Sequence, residues 1–112
     1  MGYDEGTAQR VRDVIGTAPG LSERHMFGGI SFLIDGNMCC GVINHDLVVR
    51  VGPQQYDTAL TEPHARAMDF TGRPLRGFVY IGPGGFSDES ELEQWIARAA
   101  RFVRTLPPKK KL

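Results

Sequence analysis

The dipeptide Asp35-Gly36 separates two apolar segments and restricts the fold more than any other feature of the sequence. Both central residues of a type I′ turn need positive φ, which glycine adopts freely and aspartate tolerates. The flanking residues 27–34 and 37–43 form short apolar runs with β-branched and aromatic side chains, which favour strands. The sequence therefore predicts an antiparallel hairpin that turns at this dipeptide.

Three further strands follow from the same kind of pattern. A polar break at Asn44-His45-Asp46 precedes an apolar run over residues 47–51. A second hairpin is predicted from residues 65–70 and 75–81, because the glycine and proline of the intervening segment fit a turn and not a strand interior. We therefore expect an antiparallel sheet of about five strands.

Helices are predicted before, within and after these strands. Residues 4–18 and the segment that follows residue 88 repeat apolar side chains at three- and four-residue spacing, and residues 53–60 fit a short helix. In the last helix, acidic residues fill the beginning and arginines the end, which matches the helix dipole. Trp95 lies in the middle of its apolar stripe and should anchor it against the sheet. The expected fold is α+β, in the order α-β-β-β-α-β-β-α.

Length and composition indicate one soluble domain. The chain has 112 residues, and 13 basic side chains balance 13 acidic ones, so no overall positive field attracts nucleic acid. We expect one domain over residues 1–108 and a basic tail over residues 109–112. The adjacent Cys39 and Cys40 suit a reducing compartment, and neither a secretory signal nor a membrane span is evident. A cytoplasmic location without membrane contact is therefore expected.

Familiar catalytic motifs are missing from the sequence. The segment around Ser87 lacks the second glycine of a nucleophile elbow, and the glycines at residues 82–85 lack the lysine of a phosphate loop. No carboxylate or histidine pair can be nominated for acid-base chemistry. We expect a protein that is not an enzyme and needs no cofactor.

The sequence contains residue types that bind metals, but their spacing does not favour a metal site. His25, Cys39, Cys40 and His45 lie close in sequence, yet adjacent residues of a regular strand point to opposite faces. Both thiols could reach one ion only at a bulge. We therefore expect no metal and interpret the cysteines as small core residues, with a redox-active thiol as the alternative.

Arginines alternate with aromatic residues in the predicted second hairpin. Alternation places Arg66 on one face of its first strand, and places Arg76 with Tyr80 on one face of the second. Such a surface can bind a protein or stack on unpaired bases. The alternative is that the aromatic side chains are core beneath the helices and the arginines form the rim of the sheet. The candidate partner-binding residues are Arg66, Arg73, Arg76 and Tyr80.

Several motifs resemble the N-terminal domain of the TfoX family. They are His25-Met26-Phe27-Gly28-Gly29-Ile30, Phe32-Leu33-Ile34-Asp35-Gly36-Asn37-Met38, Leu47-Val48-Val49-Arg50-Val51, Met68-Asp69-Phe70-Thr71-Gly72-Arg73-Pro74-Leu75 and Glu93-Gln94-Trp95-Ile96. The resemblance covers nearly the whole chain, although lysine is more usual at position 50 and small or apolar residues at positions 39 and 40. Within the first motif, Phe27 should fill the core, and Gly28 and Gly29 should allow a close approach between backbones.

The resemblance implies a small α+β domain related to TfoX/Sxy regulators of natural competence, which act on transcription with a cyclic-AMP receptor protein. It supplies no catalytic residue. We therefore expect a protein-interaction module in transcriptional regulation. A module that binds nucleic acid or a small ligand through the arginine-bearing hairpin is the alternative, and association of two copies stays open.

Overall fold

Six antiparallel strands form a single sheet in the computed structural model, which describes residues 2–26, 28–69 and 72–109. The strands lie side by side in the order β1-β2-β3-β4-β6-β5. Their bounds are Leu21–Met26 for β1, Gly29–Ile34 for β2, Asn37–Ile43 for β3, Asp46–Arg50 for β4, Ala65–Ala67 for β5 and Phe78–Ile81 for β6. Together with the helices, they confirm the predicted α+β class.

Strand β1 is the element that the sequence pattern did not predict. It pairs with β2 along its whole length, from Leu21 opposite Ile34 to Met26 opposite Gly29. Its four middle residues are polar and exposed. Because these exposed middle residues are all polar, β1 carries none of the alternation that marks a half-buried strand.

The second hairpin has shorter strands than predicted. β5 ends at Ala67, and β6 begins at Phe78. Between them the Leu75 amide donates to the Met68 carbonyl at 2.8 Å, and Gly77 has a φ of 96°. This backbone bond and this left-handed glycine replace the ladder with a wide loop. The predicted strand end at Phe70 and the predicted core residue Phe27 lie outside the described residues.

The helices are α1 (Glu5–Ile15), α2 (Tyr56–Leu60) and α3 (Glu89–Val103). Asp4 caps α1 by accepting a 2.9 Å hydrogen bond from the Thr7 amide. Asp88 and Glu91 form a capping box at the start of α3. α1 and α3 pack against each other and against β3, and α3 also packs against β4, so these two helices cover one face of the sheet.

Trp95 lies at the centre of the α3 interface. Its side chain is 5% exposed and belongs to the main core cluster with Leu92, Ile96 and Ala99. The indole N–H donates to the Gly85 carbonyl at 3.3 Å, and the Arg98 guanidinium lies 4.5 Å from the ring centroid. The ring therefore joins α3 to the segment that leads into it.

We expect Trp95→Ala to lower the free energy of unfolding by about 3–5 kcal/mol, the range for truncation of a large buried aromatic residue. Chemical denaturation followed by circular dichroism measures the change. Gln94→Ala is the matched control, because Gln94 is exposed on the same helix. Equal midpoints for the two variants would show that α3 does not depend on the indole.

Gly29 lies where β2 approaches β3 very closely. A Cβ atom at this position would lie 2.1 Å from the Val42 carbonyl oxygen and 2.9 Å from Cγ1 of Ile43. Because the nearest atom belongs to the backbone, a side chain here requires the strand itself to move. Gly28, the preceding residue, has a φ of 76°, which favours glycine for a conformational reason instead.

We expect Gly29→Val to destabilise the protein by about 1–3 kcal/mol despite the higher strand propensity of valine, as overpacking does. Thermal unfolding measures the effect. Gly6→Ala is the control, because a Cβ there would meet only the Asp4 carboxylate at an ordinary 3.5 Å. A Gly29→Val protein as stable as the parent would contradict the close approach.

Candidate functional site

The sheet face opposite the helices carries a second apolar cluster, which we call the open face. Its centre is Met38, Val48 and Met68, all buried. Half-buried apolar side chains surround this centre: Met26, Ile43, Leu75, Phe78 and Tyr80. None of these eight residues belongs to a helix, and the helical core residues all lie in the cluster on the other face. In the described part of the chain, the open face therefore lacks a helical layer.

Arg66 and Tyr80 form one corner of the open face. They are paired across β5 and β6, and the Arg66 guanidinium lies 4.8 Å from the Tyr80 ring centroid. The same guanidinium makes a 2.5 Å ion pair with Asp46, although the Arg66 side chain is still 54% exposed. Burial raises the pKa of Tyr80. This corner thus offers an aromatic ring and a cation that a partner can reach.

The other two predicted binding residues lie away from this corner. Arg76 packs over the Tyr56 ring at 5.3 Å and lies 3.7 Å from the Asp57 carboxylate, so it is held against α2. Arg73 is exposed in the loop between β5 and β6. The structure therefore brings together Arg66 and Tyr80 from the predicted set. The predicted alternation of side chains does not place Arg76 on the same face as Tyr80, because β6 begins only at Phe78 and Arg76 lies outside the strand.

The aromatic side chains of β6 are not beneath the helices, which was the alternative interpretation of the hairpin. Phe78 and Tyr80 are half buried in the open-face cluster, next to the fully buried Met68. Arg66 lies over the Tyr80 ring at the edge of this cluster, whereas Arg76 packs over Tyr56. The aromatic residues of β6 therefore belong to the core of the open face and not to the core beneath the helices.

Two further arginines on the open face were not identified as site residues from the sequence. Arg50, at the end of β4, is half buried and lies 5.1 Å from the Phe78 ring and 5.6 Å from the Phe102 ring. Arg24 lies on edge strand β1 and is exposed. Alternation along β4 could have placed Arg50 on the same face as Val48. Arg24 could not be placed because β1 itself was not predicted.

Cys39 and Cys40 lie at an irregularity in β3. Phe32 pairs with Cys40 and Leu33 with Met38, so Cys39 is an extra residue on this strand. Both cysteines are free and fully buried in the main core cluster. The bulge therefore turns both side chains toward the helix-covered side, the arrangement that a shared ligand would require.

The cysteines are nevertheless separated from the histidines considered with them. The His25 ring lies 6.0 Å from the Tyr3 ring, and His45 lies 4.0 Å from the Asp4 carboxylate. Over the ranges 2–26, 28–69 and 72–109, no three metal-binding side chains from His, Cys, Asp and Glu cluster together.

The two thiols differ in acidity because they interact with each other. Hydrogen bonding from Cys40 lowers the pKa of Cys39, and nearby Arg104 and Arg50 act in the same direction. The same interaction, together with burial, raises the pKa of Cys40 well above its ordinary value. Cys39 is therefore the stronger acid of the pair.

We expect both thiols to react slowly with a neutral alkylating reagent in the folded protein, and Cys39 to react before Cys40, because thiolate is the reactive form. Mass spectrometry of digested samples gives the order. Reaction of the unfolded chain is the control, in which both cysteines should react rapidly. Rapid labelling of the native protein would contradict the burial of this pair.

In the residues that the structure describes, no helix combines the length and the apolar character needed to cross a bilayer. No curated protein matches the chain. The family model of the TfoX N-terminal domain matches residues 13–103. This match runs from the end of α1 to the end of α3 and includes the whole sheet. The chain therefore belongs to the TfoX N-terminal domain family.

Proposed function

We propose that this protein is a cytoplasmic, non-enzymatic binding domain that contacts a protein partner through the open face and acts in transcriptional regulation. The observation that carries the proposal is the half-buried apolar surface of Met26, Ile43, Leu75, Phe78 and Tyr80, which lies on the side of the sheet away from the helices. A contiguous apolar surface with a polar rim is typical of a protein interaction site.

The composition of this surface also favours a protein partner. Tyrosine, phenylalanine, methionine and arginine are enriched at interfaces, and all four occur on the open face. Arg66 and Arg50 lie over aromatic rings, which holds their guanidinium groups in defined positions before a partner binds. A prearranged surface loses less conformational entropy on association.

The transcriptional setting rests on the family. The chain belongs to the TfoX N-terminal domain family, and its resemblance to competence regulators supports a partner within the transcription machinery.

Photo-crosslinking in the native cell tests which face meets the partner. A photoreactive phenylalanine analogue is placed at Ile43 or at Tyr80 on the open face, and in a control protein at Arg101, which is exposed on α3. We expect the two open-face positions to yield the same crosslinked protein, identified by mass spectrometry as a component of transcription, and the control to yield none of it.

Circular dichroism of each purified variant verifies that the fold is retained. Crosslinks of equal yield from Arg101, or none from either open-face position, would contradict the proposed surface. If both open-face positions crosslink the same protein but that protein has no role in transcription, binding through the open face is supported and the role in transcriptional regulation is overturned.

Nucleic acid is the second candidate partner. The stacking of Arg66 on Tyr80 and of Arg50 on Phe78 favours it, because unpaired bases stack on aromatic rings and on arginine side chains. Affinity for single-stranded DNA that falls steeply with salt, and that is lost in Arg66→Glu, would favour this candidate over the protein partner.

A further inference from the structure

One end of the open face forms a groove that the sequence motifs do not assign to any ligand. The groove has a volume of about 960 Å³ and extends along one end of the sheet, from β1 to β6. Its apolar lining includes Met26, Leu33, Met38 and Phe78. We call this feature the basic groove, because Arg24, Arg50 and Lys109 also line it, with Asp35 as the acidic residue of the described lining.

Arg50 has an incomplete set of partners in the basic groove. Its Nη1 atom donates to the Met38 carbonyl at 3.4 Å, and its guanidinium also lies over the rings of Phe78 and Phe102. A guanidinium has five N–H donors. Within the described residues no carboxylate makes an ion pair with Arg50 or with Arg24.

Arg50 is half buried, and its N–H groups without a protein partner are still accessible to water, so a ligand can reach them. Burial lowers the pKa of its guanidinium, because desolvation disfavours the charged form. A carboxylate from a ligand would compensate that charge and accept the free N–H groups, since guanidinium and carboxylate fit one another in a planar pair. The groove is therefore complementary to negative charge beside an apolar side chain.

The dimensions of the basic groove favour a length of chain over a small molecule. From β1 to β6 the groove crosses four inter-strand spacings of about 4.8 Å, or about 19 Å in all. An extended peptide advances about 3.3 Å per residue, so about six residues span this length. Met26 and Met38 have flexible, polarizable side chains that can adapt to different apolar residues.

Peptide fits the groove better than a nucleic acid strand does. Among its described lining residues the groove contains one aromatic ring, Phe78, and the Arg50 guanidinium lies over it. Its other apolar residues are aliphatic or methionine side chains, which do not supply a stacking surface for successive bases.

We infer that the basic groove binds an acidic, apolar segment of a partner protein, with carboxylates of the segment at Arg24 and Arg50 and an apolar side chain between Met26, Met38 and Phe78. This inference rests on the proposed function, because it names the kind of partner segment that the open face takes. It adds Arg24 and Arg50 as residues that determine specificity.

Selection from a displayed library of random seven-residue peptides tests the inference on the full chain. The immobilised protein should enrich peptides that contain at least two Asp or Glu residues around an apolar anchor. The selected peptide is then synthesised with a fluorescent label and titrated by fluorescence polarisation. A twin peptide with lysine in place of each acidic residue serves as the ligand control.

Arg24→Glu is the principal variant, because Arg24 is exposed on edge strand β1 and its replacement leaves the core unchanged. We expect it to weaken binding of the acidic peptide by about tenfold or more, since a like charge then faces the ligand. Arg50→Lys keeps the charge but loses the planar fork, and should weaken binding less. Arg101→Glu, on the outer surface of α3, is the matched control and should leave the affinity within about twofold.

The inference would be overturned by enrichment of basic or uncharged peptides, by the absence of any enriched peptide, or by equal affinity in Arg24→Glu and the parent. Arg24-dependent binding of a labelled oligothymidine, in place of peptide, would assign the groove to nucleic acid instead. If the peptide experiment fails but Ile43 and Tyr80 still give crosslinks, peptide binding in the groove is refuted and the proposed function is not. If the peptide binds but those crosslinks are absent, the groove is supported as a peptide-binding site and the proposed function in the cell is refuted.

Discussion

Packing of α3 across the central strands is the contact on which the rest of this structure depends. The apolar side of α3, centred on Trp95, covers β3 and β4, and α1 packs beside it. A sheet must bury at least one face, and two helices are enough to bury one. The other face therefore relies on its own side chains, and methionines and aromatic residues close around Val48 there. The same arrangement that stabilises the domain leaves a surface available for binding.

The arginines of the open face connect this packing to function. Arg50 and Arg66 each lie over an aromatic ring, but only Arg66 also has a carboxylate partner among the described residues. The Arg66 corner is thus electrically balanced, whereas the basic groove retains positive charge beside apolar residues. Different parts of one face therefore suit different parts of a partner. The apolar centre would supply affinity for the partner, and the arginines of the basic groove, which have no carboxylate partner among the described residues, would orient it.

Much of the fold followed from local patterns in the sequence. Residue spacing predicted α3, the Asp35-Gly36 turn predicted the β2–β3 hairpin, and five of the six strands were placed near their observed positions. β1 was missed because an edge strand with polar middle residues lacks alternation. The site was less predictable, because it depends on strand order. β4 pairs with β6 instead of with β5, and the bulge at Cys39 follows from that strand's pairing and not from its composition.

Nuclear magnetic resonance of the ¹⁵N-labelled chain gives the most direct test that the sheet face opposite the helices is the binding surface. The protein identified by crosslinking is purified and added in steps, and the amide signals are followed for each residue. We expect shifts at Met26, Ile43, Phe78 and Tyr80, with little change on the outer side of α3. Shifts confined to α1 and α3, with unchanged signals along β4 and β6, would contradict the account.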